Sequence, residues 1–127
     1  MFGENSIYGK KVLNKDSKGR IFLPSFTGAS DKDQLLLVEN NENIDLYKEE
    51  TYDKLIKELY EIYSNEIDIE KRLKLKSTIE RLCSVILKKV SVDKQRRILI
   101  TPYFNEEESI ECFGAKDHLV LCKIKKR

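Results

Sequence analysis

The sequence predicts an α+β fold, a small β-barrel of two pseudo-symmetric halves with two helices between them. The first observation is a short pattern, Asp-x-x-x-Arg followed by three apolar residues, which begins at Asp16 and again at Asp93. The second is that β-forming residues flank both copies, and the third is that residues 49–86 carry apolar residues at helical spacing. Because each half is too small to bury its own sheet, we expect the halves to pair around a pseudo-twofold axis.

Residues 12–24 predict a tight turn between two strands. Asp16 can accept backbone N–H groups two or more residues on, and Gly19 can adopt the positive φ that other residues adopt only at a cost. Arg20 follows directly, where its guanidinium can project from the rim of a sheet toward phosphate or a base edge. Pro24 ends the apolar run that leads out of the turn.

The second copy occupies residues 90–102 and predicts a related turn. Asp93 aligns with Asp16 and Arg97 with Arg20, which we interpret as an internal duplication. Arg96 stands where the first copy has glycine. The second turn therefore either tolerates backbone strain or follows a different path.

The segments between and after the two turns show clear periodic patterns. Asp68 is a predicted helix N-cap. The alternation and turn residues predict strands at 34–39 and 44–47, helices at 49–64 and 68–88, a short helix at 103–108, and a closing hairpin from strands at 109–113 and 118–124. We expect the second helix to pack a broad apolar face on the first helix and on the sheet.

The charges are unevenly distributed although the net charge is only +2. Residues 10–20 carry five basic residues and one acid, and residues 88–97 carry the same numbers. Residues 39–70 hold eleven acids and three bases. Both basic clusters coincide with the repeated turns, which favours an anionic partner, although basic turns are also common on ordinary solvated surfaces.

The sequence contains no convincing catalytic or metal-binding pattern. Ser91 and Lys94 match S-x-x-K, but they run from a predicted strand into a turn, where the two side chains are not held as on a helix. His118 is the sole histidine, and the three cysteines lack metal-ligand spacing. We therefore predict no enzyme, metal, cofactor or small-molecule substrate. No membrane span or secretory signal is predicted, which favours a cytoplasmic location.

The two turns and the opening residues 1–4 resemble the MraZ family, transcription regulators built from tandem SpoVT/AbrB-type modules. The resemblance is carried by Met1-Phe2-Gly3-Glu4, by Asp16-Ser17-Lys18-Gly19-Arg20, and by the run from Asp93 to Ile100. It implies swapped-hairpin modules at residues 1–63 and 64–127. It also implies nucleoid-associated homo-oligomers, ring-like in form, that act on short repeated DNA sites near a promoter.

Sequence-specific binding of double-stranded DNA is therefore the leading functional hypothesis. Because the first turn keeps its glycine, Arg20 is predicted to read guanine and its counterpart Arg97 to contact phosphate. The predicted turn-forming residues are Asp16, Gly19 and Asp93, and the predicted DNA contacts are Lys10, Lys11, Lys15, Lys18, Arg20, Lys94, Arg96 and Arg97.

The alternative hypothesis is a structural or protein-binding oligomer that has kept the fold and lost DNA recognition. Its basis is Arg96 in the second turn, together with residues 25–30, which lack the arginine and leucine pattern usual in the related family. Salt separates the two hypotheses. DNA binding weakens steeply as salt rises, whereas assembly through apolar faces does not.

Overall fold

The computed structural model describes residues 2, 6–107 and 109–124, so most of the opening residues 1–4 lie outside the described part. Within it the protein is α+β, as predicted, with both helices between the two sets of strands. The strands are β1 (Lys10–Asn14), β2 (Arg20–Phe22), β3 (Gln34–Asn40), β4 (Asn43–Lys48), β5 (Ile86–Ser91), β6 (Arg97–Leu99), β7 (Ser109–Gly114) and β8 (His118–Lys123), and the helices are α1 (Glu49–Asn65) and α2 (Ile69–Ser84).

The strands form two antiparallel sheets, and the prediction of a closed barrel is wrong. Six strands lie in the order β1-β7-β8-β4-β3-β5, and β2 pairs with β6 in a separate two-stranded ribbon. The ribbon strands are only three residues long and pair with each other. They therefore do not join β1 to β5 by a continuous hydrogen-bonded ladder, and the larger sheet stays open.

The strand order is symmetric about its centre. The strands of the two halves correspond in order, β1 to β5, β2 to β6, β3 to β7 and β4 to β8. When every strand in the order β1-β7-β8-β4-β3-β5 is replaced by its counterpart, the result is the same order in reverse. The first strand of each half pairs with a hairpin strand of the other half, β1 with β7 and β5 with β3. The halves are thus interleaved in one sheet, and the predicted boundary between residues 63 and 64 falls inside α1.

The main core lies between the six-stranded sheet and the ribbon. Ile21 and Ile98 project from the ribbon into this core, where both are fully buried. They join inward-facing residues of the large sheet that include Leu13, Leu35, Leu37, Leu46, Ile110, Leu119 and Leu121. Burying a side chain of this size stabilises the fold by about 1.5–3 kcal/mol, so this layer holds the ribbon on the sheet.

The helices pack on the opposite face of β3 and β4. Leu36, Val38 and Tyr52 form a buried cluster there, and the Tyr52 hydroxyl donates to the carbonyl of Leu82 at 2.6 Å. Asp68 caps α2 as predicted, because its carboxylate accepts from the N–H groups of Glu70 and Lys71.

The outer ends of the two helices leave large apolar side chains in solvent. Ile67 is 92% exposed and Ile69 is 74% exposed, and Ile62 and Leu73 are also exposed. The prediction that α2 packs a broad apolar face on α1 and on the sheet is therefore wrong for the first half of this helix. That half extends beyond the sheet. Among the described residues, neither helix is long and apolar enough to cross a membrane.

The short helix predicted at 103–108 is replaced by turns through residues 101–106. Phe104 has a φ of +58°, which interrupts a right-handed helix. Residue 108, the last of the predicted helix, lies outside the described part of the chain. The neighbouring hairpin, β7 with β8, forms as predicted.

Candidate nucleic-acid interface

The two Asp-x-x-x-Arg turns have the same backbone hydrogen bonds. In the first turn the N–H of Asp16 donates to the Arg20 carbonyl at 2.9 Å, and that of Gly19 donates to the Asp16 carbonyl at 3.1 Å. In the second, both equivalent bonds, Asp93 to Arg97 and Arg96 to Asp93, measure 3.0 Å. The predicted duplication therefore extends to the conformation of each turn.

The aspartate side chains organise both turns in the same way. Oδ1 of Asp16 accepts from the backbone N–H groups of Lys18 and Arg20, each at 2.9 Å. Oδ1 of Asp93 accepts from the N–H groups of Gln95 and Arg97 at 2.9 and 2.8 Å. Asp16 and Asp93 are two of the three predicted turn-forming residues. These hydrogen bonds to their carboxylates are of the kind that stabilises a turn.

Arg96 adopts the left-handed conformation of the glycine that it replaces. Its φ is +59°, against +78° for Gly19. A non-glycine residue in this region costs about 1–2 kcal/mol. The open question about the second turn is therefore answered, because the turn keeps its path and tolerates strain. The backbone of the two turns therefore gives no reason to assign base readout to Arg20 and phosphate contact to Arg97.

Gly19 is required by space as well as by conformation. A Cβ atom added to Gly19 would lie 2.3 Å from Cγ2 of Thr101, which follows β6. A residue other than glycine would therefore force the Thr101 methyl group to move, in addition to the backbone strain at this φ.

The ribbon holds the two turns at its opposite ends. Ile21 pairs with Ile98 at its centre, flanked by the pairs Arg20 with Leu99 and Phe22 with Arg97. Two further bonds tie the turns to the ribbon. The N–H of Leu23 donates to the Arg96 carbonyl at 2.7 Å, and that of Ile100 donates to the Gly19 carbonyl at 3.0 Å.

The solvent side of the ribbon carries two arginines and two apolar residues. Since Ile21 and Ile98 point inward, their neighbours Arg20, Phe22, Arg97 and Leu99 lie on the outer side, which we call the ribbon face. Phe22 is 52% exposed and Leu99 is 40% exposed. The guanidinium carbon of Arg97 lies 5.7 Å from the centre of the Phe22 ring, a cation–π distance.

The two arginines are held by their own turns. Nε of Arg20 lies 2.8 Å from Oδ2 of Asp16, and Nε of Arg97 lies 2.8 Å from Oδ2 of Asp93. A guanidinium has five N–H donors, and these ion pairs join only Nε. Each aspartate therefore aims its arginine while the terminal nitrogens take no part in the ion pair.

Hydrogen bonding lowers the pKa of both aspartates. For Asp16 the largest cause is the bond from the Arg20 backbone, and its side chain adds to the effect. For Asp93 desolvation opposes the change, but the backbone and side-chain bonds from Arg97 outweigh it and the pKa is still lowered. Both carboxylates are therefore charged at neutral pH, which keeps the ion pairs intact.

The other predicted contact residues divide into two groups. Lys18, Lys94 and Arg96 are exposed on the turns beside the ribbon. The remaining three are lysines of the first half whose placement is different: Lys15 donates to the carbonyl of Phe104, Lys10 forms an ion pair with Glu111 at 3.2 Å, and Lys11 lies on β1 opposite Cys112.

Sequence reasoning missed Phe22 and Leu99, which it assigned to the strands without a role. In each three-residue strand the central isoleucine is buried, and the arginine before it and the apolar residue after it lie on the opposite side. The alternation of side chains along a strand was therefore the available signal. That signal depends on knowing that Ile21 and Ile98 point inward.

The described residues include no group of three or more His, Cys, Asp or Glu side chains that could hold a metal ion. The ribbon face and the flanking turns are thus a basic surface with two apolar side chains.

No protein-family model matches the chain, and no curated protein is similar enough to match it.

Proposed function

We propose that the protein is a sequence-specific duplex DNA-binding transcription regulator that acts as a homo-oligomer on repeated sites near a promoter. The observation that carries the proposal is the pair of matching turns at the two ends of the β2–β6 ribbon. Each turn presents one arginine, Arg20 or Arg97, held by its aspartate at 2.8 Å.

The ribbon face has the chemistry that base readout requires. A two-stranded ribbon fits the major groove of B-DNA, and an arginine can donate two hydrogen bonds to guanine O6 and N7. Phe22 and Leu99 are suited to contact the methyl group of thymine. Preorganisation by Asp16 and Asp93 reduces the entropy that each arginine would lose on binding.

The exposed cations on the turns complete the proposed interface. Lys18, Lys94 and Arg96 lie next to the ribbon and would neutralise phosphates, which adds affinity without sequence preference. Lys15 is engaged with the Phe104 carbonyl. Because Lys15 and Lys10 already have partners, we expect both to be weaker phosphate contacts than Lys18, Lys94 and Arg96.

The interleaved halves support a relationship to swapped-hairpin SpoVT/AbrB-type modules of the MraZ kind. The first strand of each half pairs with the hairpin of the other half, as such an exchange requires. A cytoplasmic, nucleoid-associated location is part of the same proposal and follows from DNA as the partner.

The exposed apolar ends of α1 and α2 support the homo-oligomer, and the ring form is proposed from the family resemblance alone. Ile62, Ile67, Ile69 and Leu73 are all exposed there, on a surface remote from the ribbon. A single ribbon presents little area to DNA, so several subunits on repeated sites would supply the affinity.

An electrophoretic shift assay on the DNA upstream of the chain's own coding sequence tests the proposal. We expect a retarded complex at nanomolar protein that weakens steeply as salt rises. The matched control is Arg72→Ala, since Arg72 lies on α2 over the Tyr63 ring, away from the ribbon. Equal retention of target and scrambled DNA, or no loss with salt, would contradict the proposal.

The second candidate is a protein-binding or structural oligomer without DNA recognition. The observation that favours it is the exposed apolar surface at the helix ends, which is independent of the arginines. Light scattering in low and high salt distinguishes the two. Assembly that persists in high salt, combined with no DNA complex in any buffer, would favour this candidate.

A further inference from the structure

A cavity of about 670 Å³ lies between the helices and the end of the β3–β4 hairpin. Its volume falls within the range of about 300–1,000 Å³ that is typical of small-molecule sites. Its lining includes Asp45 and Tyr47 on β4, Tyr52 and Leu55 on α1, and Leu82 and Val85 at and after the end of α2, together with the charged side chains of Glu39 and Arg81. The inward side chains of β4, such as Leu46, point toward the ribbon, so the cavity lies on the opposite side of the sheet from the ribbon face.

Asp45 has a buried carboxylate oxygen without a partner. The residue is only 6% exposed. Its Oδ2 accepts from Nδ2 of Asn40 at 3.2 Å and lies 3.9 Å from Nε2 of His118. Its Oδ1 is buried and has no hydrogen-bond partner among the described residues. A buried acceptor left in this state destabilises a protein.

Asp45 forms no ion pair with a lysine or an arginine among the described residues, although Arg81 also lines the cavity. Burial raises the pKa of Asp45, and His118 and Asn40 only partly oppose that effect. His118 also lies 2.7 Å from Asp117 through its other ring nitrogen, so the imidazole is shared between two carboxylates. A donor that enters the cavity would therefore meet an incompletely satisfied carboxylate.

The walls of the cavity are partly aromatic and aliphatic and partly polar, since Glu39, Asn40, Asn41 and Arg81 also line it. The Tyr47 and Tyr52 rings meet edge to face with centres 5.1 Å apart, and His118 stacks on Tyr47 at 4.4 Å. Burial raises the pKa of Tyr47 to about 12, so its phenol stays neutral. Together with Leu55, Leu82 and Val85, the two tyrosine rings give the cavity an apolar side against which a hydrocarbon or aromatic body would pack.

We propose that this cavity binds a small organic cation, an ammonium or guanidinium group on an apolar or aromatic body, with the cation donating to Asp45. An anion would be repelled by Asp45 and Glu39, which together outweigh the single charge of Arg81, and a neutral alcohol would leave the charge of Asp45 uncompensated. The faces of neighbouring tyrosine rings would favour a cation further. The site does not depend on the ribbon face and goes beyond DNA binding.

Three probes of the same shape and different charge test the proposal: benzylammonium, benzyl alcohol and benzoate. Each is titrated into the full chain at neutral pH while backbone amide resonances are followed by NMR. We expect saturable binding of benzylammonium, with shifts concentrated at residues 38–47, 52–55 and 81–85. Benzyl alcohol should bind at least about tenfold more weakly, which corresponds to about 1.4 kcal/mol, and benzoate should not saturate.

Two variants link the binding to the carboxylate. Asp45→Asn should weaken benzylammonium binding at least about tenfold, whereas Asp53→Asn, an exposed aspartate on α1, should leave it unchanged. If Asp45→Asn does not fold, Leu55→Trp provides a second test, since it narrows the cavity from a half-exposed position and should abolish binding. No saturation by benzylammonium, equal binding of benzyl alcohol, or unchanged binding in a folded Asp45→Asn would each overturn the proposal. None of these results bears on the DNA shift assay.

Discussion

Arg96 occupies in the second turn the left-handed conformation that Gly19 occupies in the first, with φ values of +59° and +78°. The same set of hydrogen bonds forms around both residues. The duplicated turn thus keeps its path although only one copy retains the residue that favours it. Arg96 therefore strains the backbone of the second turn.

Replacing Arg96 by glycine should relieve that strain. We expect Arg96→Gly to leave the free energy of unfolding unchanged or to raise it by up to about 1 kcal/mol, because relief of the left-handed strain exceeds the entropy that glycine adds to the unfolded chain. Denaturant unfolding measures the difference. Lys94→Gly is the control, since Lys94 is not among the residues with positive φ and should lose stability. A less stable Arg96→Gly would mean that its side chain supports the turn.

Gly19→Ala should destabilise the protein by at least about 1 kcal/mol, because alanine is strained at this φ and its Cβ would meet Thr101 Cγ2 at 2.3 Å. Thr101→Ser removes that methyl group. The penalty of Gly19→Ala should therefore be smaller in the Thr101→Ser background, and a double-mutant cycle by thermal unfolding measures the coupling. Strict additivity of the two changes would show that the clash is absorbed elsewhere.

The matching geometry of the turns revises the expected roles of the two arginines. The sequence predicted base readout by Arg20 and phosphate contact by Arg97, but both guanidinium groups are held by their aspartates at 2.8 Å. We now expect Arg20→Ala and Arg97→Ala each to cost about 1–3 kcal/mol on target DNA and to reduce discrimination against scrambled DNA. Competition binding with both duplexes measures this.

The control for the arginine pair is again Arg72→Ala, which should bind both duplexes as the unaltered chain does. If Arg97→Ala weakens binding to both duplexes alike while Arg20→Ala affects only the target, the original division of roles is correct despite the shared turn geometry.

Asp45 should make stability depend on pH with a defined sign. Its pKa in the folded state is raised above the ordinary 3.8 by burial. The charged form is therefore disfavoured by folding, and this penalty is present at pH values above the folded pKa and disappears below the unfolded pKa. At neutral pH we expect Asp45→Asn to stabilise the protein by about 1 kcal/mol, and we expect the gain to shrink as the pH falls toward 3.8.

Thermal unfolding of Asp45→Asn and of Asp53→Asn across this pH range measures the effect. The exposed Asp53 should show little change at any pH. A gain for Asp45→Asn that grows in acid would instead mean that the carboxylate stabilises the folded state in its charged form.

The sequence by itself determined the local elements of this protein. The two turns, the β3–β4 hairpin, the N-cap at Asp68 and the closing hairpin all form where the pattern predicts them. Their hydrogen bonds stay within one short stretch of chain, from Asp16 and Arg20 in the first turn to Leu35 and Lys48 at the open end of the β3–β4 hairpin. The identities of those residues are sufficient to specify such structures. Two local predictions failed: the helix at 103–108 is interrupted where Phe104 adopts a positive φ, and the second helix, predicted to reach residue 88, ends at Ser84 before strand β5.

Only the tertiary structure decided which strands pair and which side chains meet. The ribbon joins Ile21 to Ile98, the larger sheet stays open, and Lys15 reaches the carbonyl of Phe104. The ribbon face and the cavity at Asp45 follow from these pairings. Contacts between residues far apart in the chain form only when the apolar faces of all the elements are buried together. No short stretch of residues therefore specifies them.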